Sequence, residues 1–148
     1  MGWVEDLTGS VVGLDTAPLI YYVEANPTYI SRIDPFFGAL DRGDIRAVTS
    51  IVTLIETTAQ PMRRGDSVLT ARYGDLLLDT AHIDTLDLTA AIAQEAARLR
   101  AAFGLRTPDA IQVATALEAG ATALLTNDTR LSIVPDISII VLDALPPP

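Results

Sequence analysis

The stretch Val11-Val12-Gly13-Leu14-Asp15-Thr16 decides how the chain is organised. Its apolar, β-branched part is typical of a strand buried on both faces, as in a parallel sheet. The strand pattern ends at Asp15, and Thr16 followed by Pro18 predicts the start of a helix. Because open α/β sheets bind ligands outside the carboxyl ends of their strands, Asp15 lies where chemistry is usually done. This stretch alone is equally compatible with an Asp15 that only caps the helix.

Strand and helix patterns alternate along the rest of the chain. Strands are predicted at residues 11–14, 46–52, 83–88, 123–126 and 137–142. Helices are predicted at residues 17–22, 27–40, 53–59, 66–78, 89–103 and 107–119, with a break at Asp34-Pro35 and a stop or kink at Pro61. Only the two ends, 1–10 and 146–148, look peripheral. This order predicts an α/β domain with a mainly parallel sheet of about five strands, joined by right-handed crossovers.

The composition is that of one globular domain. With 148 residues the chain can bury a substantial core, which we expect at residues 11–143. No apolar run approaches the roughly 20 residues of a membrane span. The first residues lack the basic start of a secretory signal and the chain has no cysteine, so we expect a cytoplasmic protein without disulfides. The one histidine, His82, excludes mechanisms that need a histidine pair, and we interpret it as structural.

The charge balance is acidic, and arginine supplies all of the positive charge. Ten basic and 19 acidic residues give a formal charge of −9, and the chain contains no lysine. This excludes a P-loop, a Schiff base and receiver-type phosphorylation. Nucleic-acid-binding surfaces are usually basic, so a polyanionic partner would have to be held through cations and local arginines. Candidates for such arginines near predicted helix ends are Arg63, Arg64, Arg72 and Arg106.

Four acids differ from those expected on solvated surfaces. Asp15 and Asp128 each end an apolar strand, and Glu56 lies early in the helix after the second strand. Strand ends and the following helix starts share one edge of a parallel sheet, so topology brings these three together. Asp109 lies at a helix start, where the helix dipole favours a carboxylate. No strand leads directly into that helix, so its position relative to the others is open, and each acid singly could be a cap or a solvated charge.

Four converging carboxylates would repel one another by about 4 kcal/mol per pair, at a separation of about 4–5 Å and an effective dielectric constant of about 20. Such a cluster is stable if some acids are protonated, if arginines intervene or if divalent cations bind. Oxygen ligands without histidine or cysteine favour Mg²⁺ or Mn²⁺ over zinc. One or two such ions would contact phosphate oxygens and activate water for in-line attack on phosphorus.

Four motifs resemble those of the PIN domain family, especially its VapC-type toxin ribonucleases. They are Leu14-Asp15-Thr16, the segment 50–56, the segment Pro108–Gln112 with 114–117, and Leu125-Thr126-Asn127-Asp128. The motifs occur in the family's order and at similar separations. The resemblance extends over essentially the whole chain from Val11 to Leu142.

The resemblance implies an α/β/α sandwich that gathers the four acids in one pocket. It implies a Mg²⁺-dependent endoribonuclease, in which Mn²⁺ can substitute, with four catalytic and metal-binding residues: Asp15, Glu56, Asp109 and Asp128. Two hydroxyls would lie behind these ligands or on the substrate side, those of Thr16 and Thr126. Glu24, on the first helix, stays outside this set. The resemblance also implies a homodimer, an RNA substrate and a cognate antitoxin that blocks the site, as in a type II toxin–antitoxin pair.

Three alternatives remain open at this point. A PIN-like housekeeping nuclease would share the site, and a PIN-like binding module would use the fold without turnover, although all four acids are present. A phosphatase of the haloacid-dehalogenase type also has an aspartate at the end of its first strand. That site needs a second aspartate two positions later, where this chain has Ala17, and a lysine, which the chain lacks.

Overall fold

The computed structural model describes residues 2–146, in which five strands form one parallel sheet. The strands are β1 (Val11–Leu14), β2 (Arg46–Ser50), β3 (Ile83–Leu86), β4 (Ala123–Thr126) and β5 (Ser138–Val141). They are ordered β3-β2-β1-β4-β5, so β1 is the central strand. Every neighbouring pair is parallel. The predicted α/β class and the approximate number of strands are confirmed.

Helices cover both faces of this sheet. They are α1 (Thr16–Val23), α2 (Ile30–Arg42), α3 (Val52–Arg63), α4 (Ser67–Leu78), α5 (Ala90–Phe103) and α6 (Thr107–Glu118). On one face, α1, α2 and α4 enclose a core that includes Phe36 and Tyr73. On the other face, α5 and α6 pack around Leu99 and Val113. The result is an α/β/α sandwich, and no helix within residues 2–146 is long and apolar enough to cross a membrane.

Gly13 allows α6 to pack directly against the central strand. A Cβ atom at this position would lie 2.7 Å from the Cβ atom of Ala116 on α6 and 2.8 Å from Cδ1 of Leu124 on β4. Both distances are shorter than normal carbon contacts, so a side chain here would push the helix away from β1. Because α6 leads directly into β4, it runs antiparallel to the strands. The first turn of α6 therefore lies at the carboxyl edge of the sheet.

Two prolines lie inside helices. The predicted break at Pro35 is wrong, because α2 continues through it. Pro35 is on the exposed side of α2, where the Ser31 carbonyl that loses its amide partner is accessible to water. The opposite side of α2 buries Phe36 and Phe37 almost completely, and this packing keeps the helix continuous. Pro61 also lies inside α3, which ends two residues later.

The N-terminal end is part of the core, so the expectation that it is peripheral is wrong. A short 3₁₀ helix, Glu5–Leu7, precedes β1. Val4 and Leu7 are buried, and the ring of Trp3 stacks on Phe36 with 5.9 Å between ring centroids. These scattered apolar residues show no helical or strand period, which is why the sequence pattern did not indicate their burial. Three terminal residues included in our expectations lie outside the described part of the chain: Met1, Pro147 and Pro148.

Candidate active site

The carboxyl edge of the sheet carries the strand-end acids. Asp15 directly follows β1, and its N–H group donates to the carbonyl of Leu125 on β4 at 2.9 Å. Asp128 lies two residues beyond β4 and caps a short 3₁₀ helix, Thr129–Ile133. Glu56 is in the second turn of α3, which begins just after β2. The strand order therefore places all three acids at one edge, where ligands bind in parallel α/β sheets.

Two threonine hydroxyls connect these acids. The Thr126 hydroxyl donates to Oδ2 of Asp15 at 2.7 Å and accepts the N–H group of Asp128 at 3.0 Å. The Thr16 hydroxyl donates to Oε1 of Glu56 at 3.0 Å, while its N–H group donates to Oδ1 of Asp15 at 2.8 Å. Both carboxylate oxygens of Asp15 are thus oriented by hydrogen bonds to neighbouring groups.

Burial, hydrogen bonds and neighbouring charges all affect the pKa of Asp15. Burial raises the pKa of Asp15 above its ordinary value. Hydrogen bonds from Thr126 and Thr16 lower the pKa, and they are outweighed. The negative charges of Asp109 and then Glu56 raise it further. Asp109 lies in the first turn of α6, which reaches the same edge of the sheet, and this position accounts for its effect on Asp15.

Two arginines pair with the other two acids. Arg130 donates from Nε to Oδ1 of Asp128 at 2.9 Å and from Nη2 to Oδ2 at 2.7 Å. Arg106 donates from Nε to Oδ2 of Asp109 at 3.0 Å. The side chains of Arg106 and Arg130 are about two-thirds exposed, whereas those of Asp109 and Asp128 are 14% and 24% exposed. The arginines therefore lie on the solvent side of these carboxylates.

These pairs make the site electrically uneven. The hydrogen bonds and charge of Arg130 lower the pKa of Asp128, although partial burial opposes the change, and Arg106 lowers it further. Asp109 and Asp128, which we call the arginine-paired acids, are thus compensated by two positive charges. Asp15 and Glu56, which we call the hydroxyl-bonded acids, form no ion pair within residues 2–146.

A cavity of about 350 Å³ lies beside the arginine-paired acids. Its polar lining consists of Arg106, Asp109 and Arg130. Its remaining lining is largely apolar and consists of Phe103, Gly104, Leu105, Leu131 and Ile133. Such a combination suits a ligand that has both an apolar part and an anionic part.

The donors at this edge fit a hard divalent cation that keeps part of its water shell. All of the available ligands are oxygen atoms, which Mg²⁺ prefers, and Mg²⁺ is usually held by only one or two carboxylates. Within residues 2–146, no three acids or histidines are close enough to surround one ion. The arginines instead reduce the repulsion that four convergent carboxylates would otherwise cause. The hydroxyl-bonded acids could serve as ligands of such an ion, since no ion pair compensates their charge within residues 2–146.

Several features of the site were not predicted from sequence. Arg130 was missed as the partner of Asp128. Arg106 was expected to contact RNA, and its position three residues before Asp109 also predicts the observed pairing. Glu24 accepts a hydrogen bond from the hydroxyl of Tyr73 at 2.5 Å, at the far end of α1 from Asp15.

Three solved structures illustrate the similarity of the fold. VapBC2 from Rickettsia felis, bound to a promoter DNA fragment, is 15% identical with a TM-score of 0.69, covering 88% of this chain and 98% of its own. VapC20 from Mycobacterium tuberculosis, described as a Sarcin-Ricin loop cleaving toxin, is 16% identical with a TM-score of 0.67, covering 84% and 94%. FitAcB from Neisseria gonorrhoeae is 18% identical with a TM-score of 0.65, covering 91% and 99%. At these identities the likeness shows the fold.

The family is shown by a match at the level of sequence. Comparison with curated protein sequences gives no significant match. The model of the PIN domain, however, matches residues 12–137, which is most of the chain and includes all four acids. The strand order, the acids at the carboxyl edge and this match agree with one another, and the chain belongs to the PIN domain family.

Proposed function

We propose that this protein is a Mg²⁺-dependent endoribonuclease, in which Mn²⁺ can substitute, and the toxin of a VapBC-like toxin–antitoxin pair. The observation that supports catalysis is the environment of Asp15, whose pKa is raised by burial and further by the charges of Asp109 and Glu56, while two hydrogen bonds orient its oxygens. The toxin assignment is supported by the similar structures, which include toxin–antitoxin complexes and a Sarcin-Ricin loop cleaving toxin. In this proposal, one nuclease domain comprises the whole chain.

The acids proposed to bind the metal ion are Asp15, Glu56, Asp109 and Asp128, and Asp15 and Glu56 would contact it directly because no arginine pairs with them within residues 2–146. Such an ion supplies positive charge at the scissile phosphate and makes water a nucleophile at neutral pH. The chain's own contribution is to orient the ligands. The Thr126 hydroxyl holds Asp15, and the Thr16 hydroxyl holds Glu56, so that each carboxylate keeps one orientation before the ion arrives.

Arg106 and Arg130 are the side chains that we expect to contact the RNA backbone. A guanidinium group binds phosphate oxygens with two parallel hydrogen bonds, as it binds a carboxylate. Both groups are largely exposed beside the site acids, so a phosphate can approach them from solvent. This local positive charge accounts for how a protein with a formal charge of −9 would accept a polyanion.

The expected partners follow from the same proposal. The cognate antitoxin would cover the acidic edge, and a basic side chain of the antitoxin would compensate the hydroxyl-bonded acids. We also propose that the protein is a homodimer and acts in the cytoplasm. A small neighbouring gene with a basic DNA-binding N-terminal region would support the toxin assignment. Its absence would favour a housekeeping nuclease of the same family.

The direct test is cleavage of RNA by the purified full-length chain. We expect cleavage with Mg²⁺ or Mn²⁺ that stops when EDTA is added. Asp15→Asn and Asp109→Asn should each reduce the rate by more than about 100-fold, beyond the 10–100-fold typical of residues that only support a metal ligand. The control is Asp84→Asn. Asp84 lies on β3, outside the proposed site, and forms an ion pair with Arg46 at the start of β2. This variant should keep wild-type activity.

One observation favours a second candidate function. The arginine-paired acids are occupied by guanidinium groups, and this is also compatible with a PIN-like module that binds RNA without cleaving it. Binding without cleavage in Mg²⁺ and Mn²⁺ would support that function. Undiminished cleavage by Asp15→Asn or Asp109→Asn would remove the substituted residue from the proposed site.

A further inference from the structure

A buried chain of hydrogen bonds runs beneath the site acids. The Nε2 group of Gln112 donates to the hydroxyl of Thr53. The hydroxyls of Thr53 and Thr49 are 2.8 Å apart, and the Thr49 hydroxyl donates to the carbonyl of Leu14 at 2.8 Å. The N–H group of Ser50 donates to Oε1 of Gln112 at 3.3 Å. The chain therefore joins α6, α3, β2 and β1.

The direction of each hydrogen bond in this chain is determined by its chemistry. The N–H group of Ser50 can only donate, so Oε1 of Gln112 faces it and Nε2 faces Thr53. A hydroxyl has one proton. If Thr49 donates to the carbonyl of Leu14, then Thr49 must accept from Thr53, which in turn accepts from Gln112. Each hydroxyl then donates once and accepts once, and the Thr49 hydroxyl also lies 3.5 Å from Oε1 of Gln112.

The two helices in this chain each carry a site acid one turn away. Thr53 precedes Glu56 by three residues on α3, and Gln112 follows Asp109 by three residues on α6. Residues three apart lie on the same side of a helix. The bond between Gln112 and Thr53 therefore fixes the distance between two helical segments that hold two of the proposed metal ligands.

The third element carries Asp15. The carbonyl at the end of the chain belongs to Leu14, the residue immediately before Asp15. From Asp15 the connection continues to Asp128 through the hydroxyl of Thr126. All four acids are thus connected through these hydrogen bonds together with the short backbone segments between them.

The burial of these groups argues for more than ordinary core packing. Thr49, Ser50, Thr53 and Gln112 are at most 2% exposed, in positions where apolar side chains would pack at lower desolvation cost. Within residues 2–146 no buried side-chain polar atom lacks a hydrogen-bond partner. A buried network whose members are all satisfied holds one arrangement of its elements, because any shift leaves a group unpaired.

We propose that Gln112 and Thr53 are positioning residues, which set the spacing of Glu56, Asp109 and Asp15 through this buried chain. The inference rests on the proposed nuclease function. Small displacements of catalytic groups are costly, so loss of the bond between the helices should reduce turnover and metal affinity rather than substrate binding.

The first experiment removes one hydroxyl from α3. Thr53→Val keeps the shape of the side chain but cannot accept from Gln112, and Thr53→Ser keeps the hydroxyl. The matched control is Thr57→Val on the same helix. Thr57 is 3% exposed, and its hydroxyl donates only to carbonyls of its own helix, those of Thr53 and Leu54. The measurements are kcat and KM for RNA cleavage, the Kd for Mn²⁺ without RNA, and the melting temperature.

We expect Thr53→Val to lower kcat and weaken Mn²⁺ binding by about 10–100-fold, with KM for RNA little changed. Thr53→Ser should restore most of both. Thr57→Val should lower the melting temperature about as much as Thr53→Val and keep the wild-type kcat. Equal kcat in the two valine variants would overturn the positioning role while leaving the nuclease function intact. A wild-type protein that neither cleaves RNA nor binds Mn²⁺ would instead overturn the function on which the role depends.

The second experiment approaches the same bond from α6. Gln112→Met is nearly isosteric and removes both hydrogen bonds of the side-chain amide. Its control is Thr115→Val. Thr115 is 1% exposed, and its hydroxyl donates to the carbonyl of Ile111 in the same helix. The same loss of kcat and Mn²⁺ affinity is expected for Gln112→Met alone. If Gln112→Met does not fold, the Thr53→Val and Thr53→Ser pair decides the question. A folded Gln112→Met with wild-type kcat would overturn the role of Gln112.

Discussion

The two halves of the candidate site differ in how their negative charge is compensated. The hydroxyl-bonded acids, Asp15 and Glu56, are bonded by threonine hydroxyls and a backbone amide, none of which carries charge. The arginine-paired acids, Asp109 and Asp128, each contact a guanidinium group. The pKa values of one acid from each half also differ: the pKa of Asp15 is raised, and that of Asp128 is lowered.

This difference suggests separate tasks for the two halves. Uncompensated acids gain most from a divalent cation, because the ion removes repulsion that the protein itself leaves in place. Arginine-paired acids gain less from an ion, and the guanidinium groups that pair with them are available to a phosphate. The predictions below test this division.

The largest effect expected is the response of the folded protein to metal. A ligand that binds only the folded state stabilises it by about 2.7 kcal/mol at a hundredfold excess over Kd. In a domain of this size each kcal/mol moves the melting temperature by about 2–4 °C, so saturating Mn²⁺ should raise it by about 5–11 °C. Thermal denaturation with and without Mn²⁺ measures this rise.

The variants extend the same measurement to the two halves. Asp15→Asn should lose more of the Mn²⁺-induced rise than Asp128→Asn, because Asp15 belongs to the uncompensated half. Asp109→Asn should also show a reduced rise. Ca²⁺ should stabilise the wild type with little or no catalysis. A wild-type melting curve that does not respond to Mn²⁺ would mean that the acids form no metal site, and the catalytic proposal would fail.

Sequence patterns alone placed three of the four acids, Asp15, Glu56 and Asp128, at one edge of the sheet. Apolar strand patterns located Asp15 and Asp128, because a carboxylate after a buried run marks the edge of a parallel sheet. Asp109 could not be placed by that pattern and came from the family resemblance. In the structure α6 leads into β4, so the first turn of α6 must lie at the edge where β4 ends. Arg130 escaped prediction because an ion pair depends on side-chain orientations that no periodicity encodes.

The error at Pro35 has a related cause. Local backbone rules predict a helix end before proline, but α2 is maintained by the burial of Phe36 and Phe37. Gln112 shows the same limit, since a glutamine in an apolar helix pattern gives no sign of the partners it finds on α3 and β2. Local rules located the elements, whereas contacts between elements determined these exceptions.

A second prediction concerns the stability of the protein without metal. Substitutions in the two halves of the site should change the free energy of unfolding in opposite directions. At pH 7 in EDTA, Asp15→Asn should stabilise the protein, because burial and the neighbouring acids disfavour the ionised carboxylate of Asp15. Asp128→Asn should destabilise it by about 0.2–1 kcal/mol, the range for a pair with an exposed partner. Urea unfolding of both variants measures the difference, and changes of the same sign would contradict the division.

The dependence on pH should separate the same variants. The pKa of Asp15 is raised, so the folded state holds its proton more tightly, and stability falls as pH rises from the ordinary value of 3.8 through the raised value. The pKa of Asp128 is lowered, so its stabilisation is complete above 3.8 and is lost as pH falls through the folded value. Asp15→Asn should remove the first change and Asp128→Asn the second.

The smallest effect expected is on the salt dependence of RNA binding, which tests the arginines of the paired half. Each phosphate contact contributes about 0.7 to the slope of log K against log salt for a single strand. Arg130→Ala should therefore weaken binding and reduce the slope by about one contact, and Arg106→Ala should do the same. The double variant Arg63→Ala/Arg64→Ala tests a second location, since neither arginine forms an ion pair within residues 2–146.

Binding would be measured in Ca²⁺ to keep the RNA intact, with Arg98→Ala as the control. Arg98 is also paired with acids, Glu95 and Asp136, but it lies on α5 and does not line the cavity beside the site. Its removal should leave the slope unchanged. If Arg130→Ala and Arg98→Ala gave equal slopes, Arg130 would have no phosphate contact. Its pairing with Asp128 would then serve only to compensate charge, and RNA would have to be held by the metal ion and by arginines elsewhere.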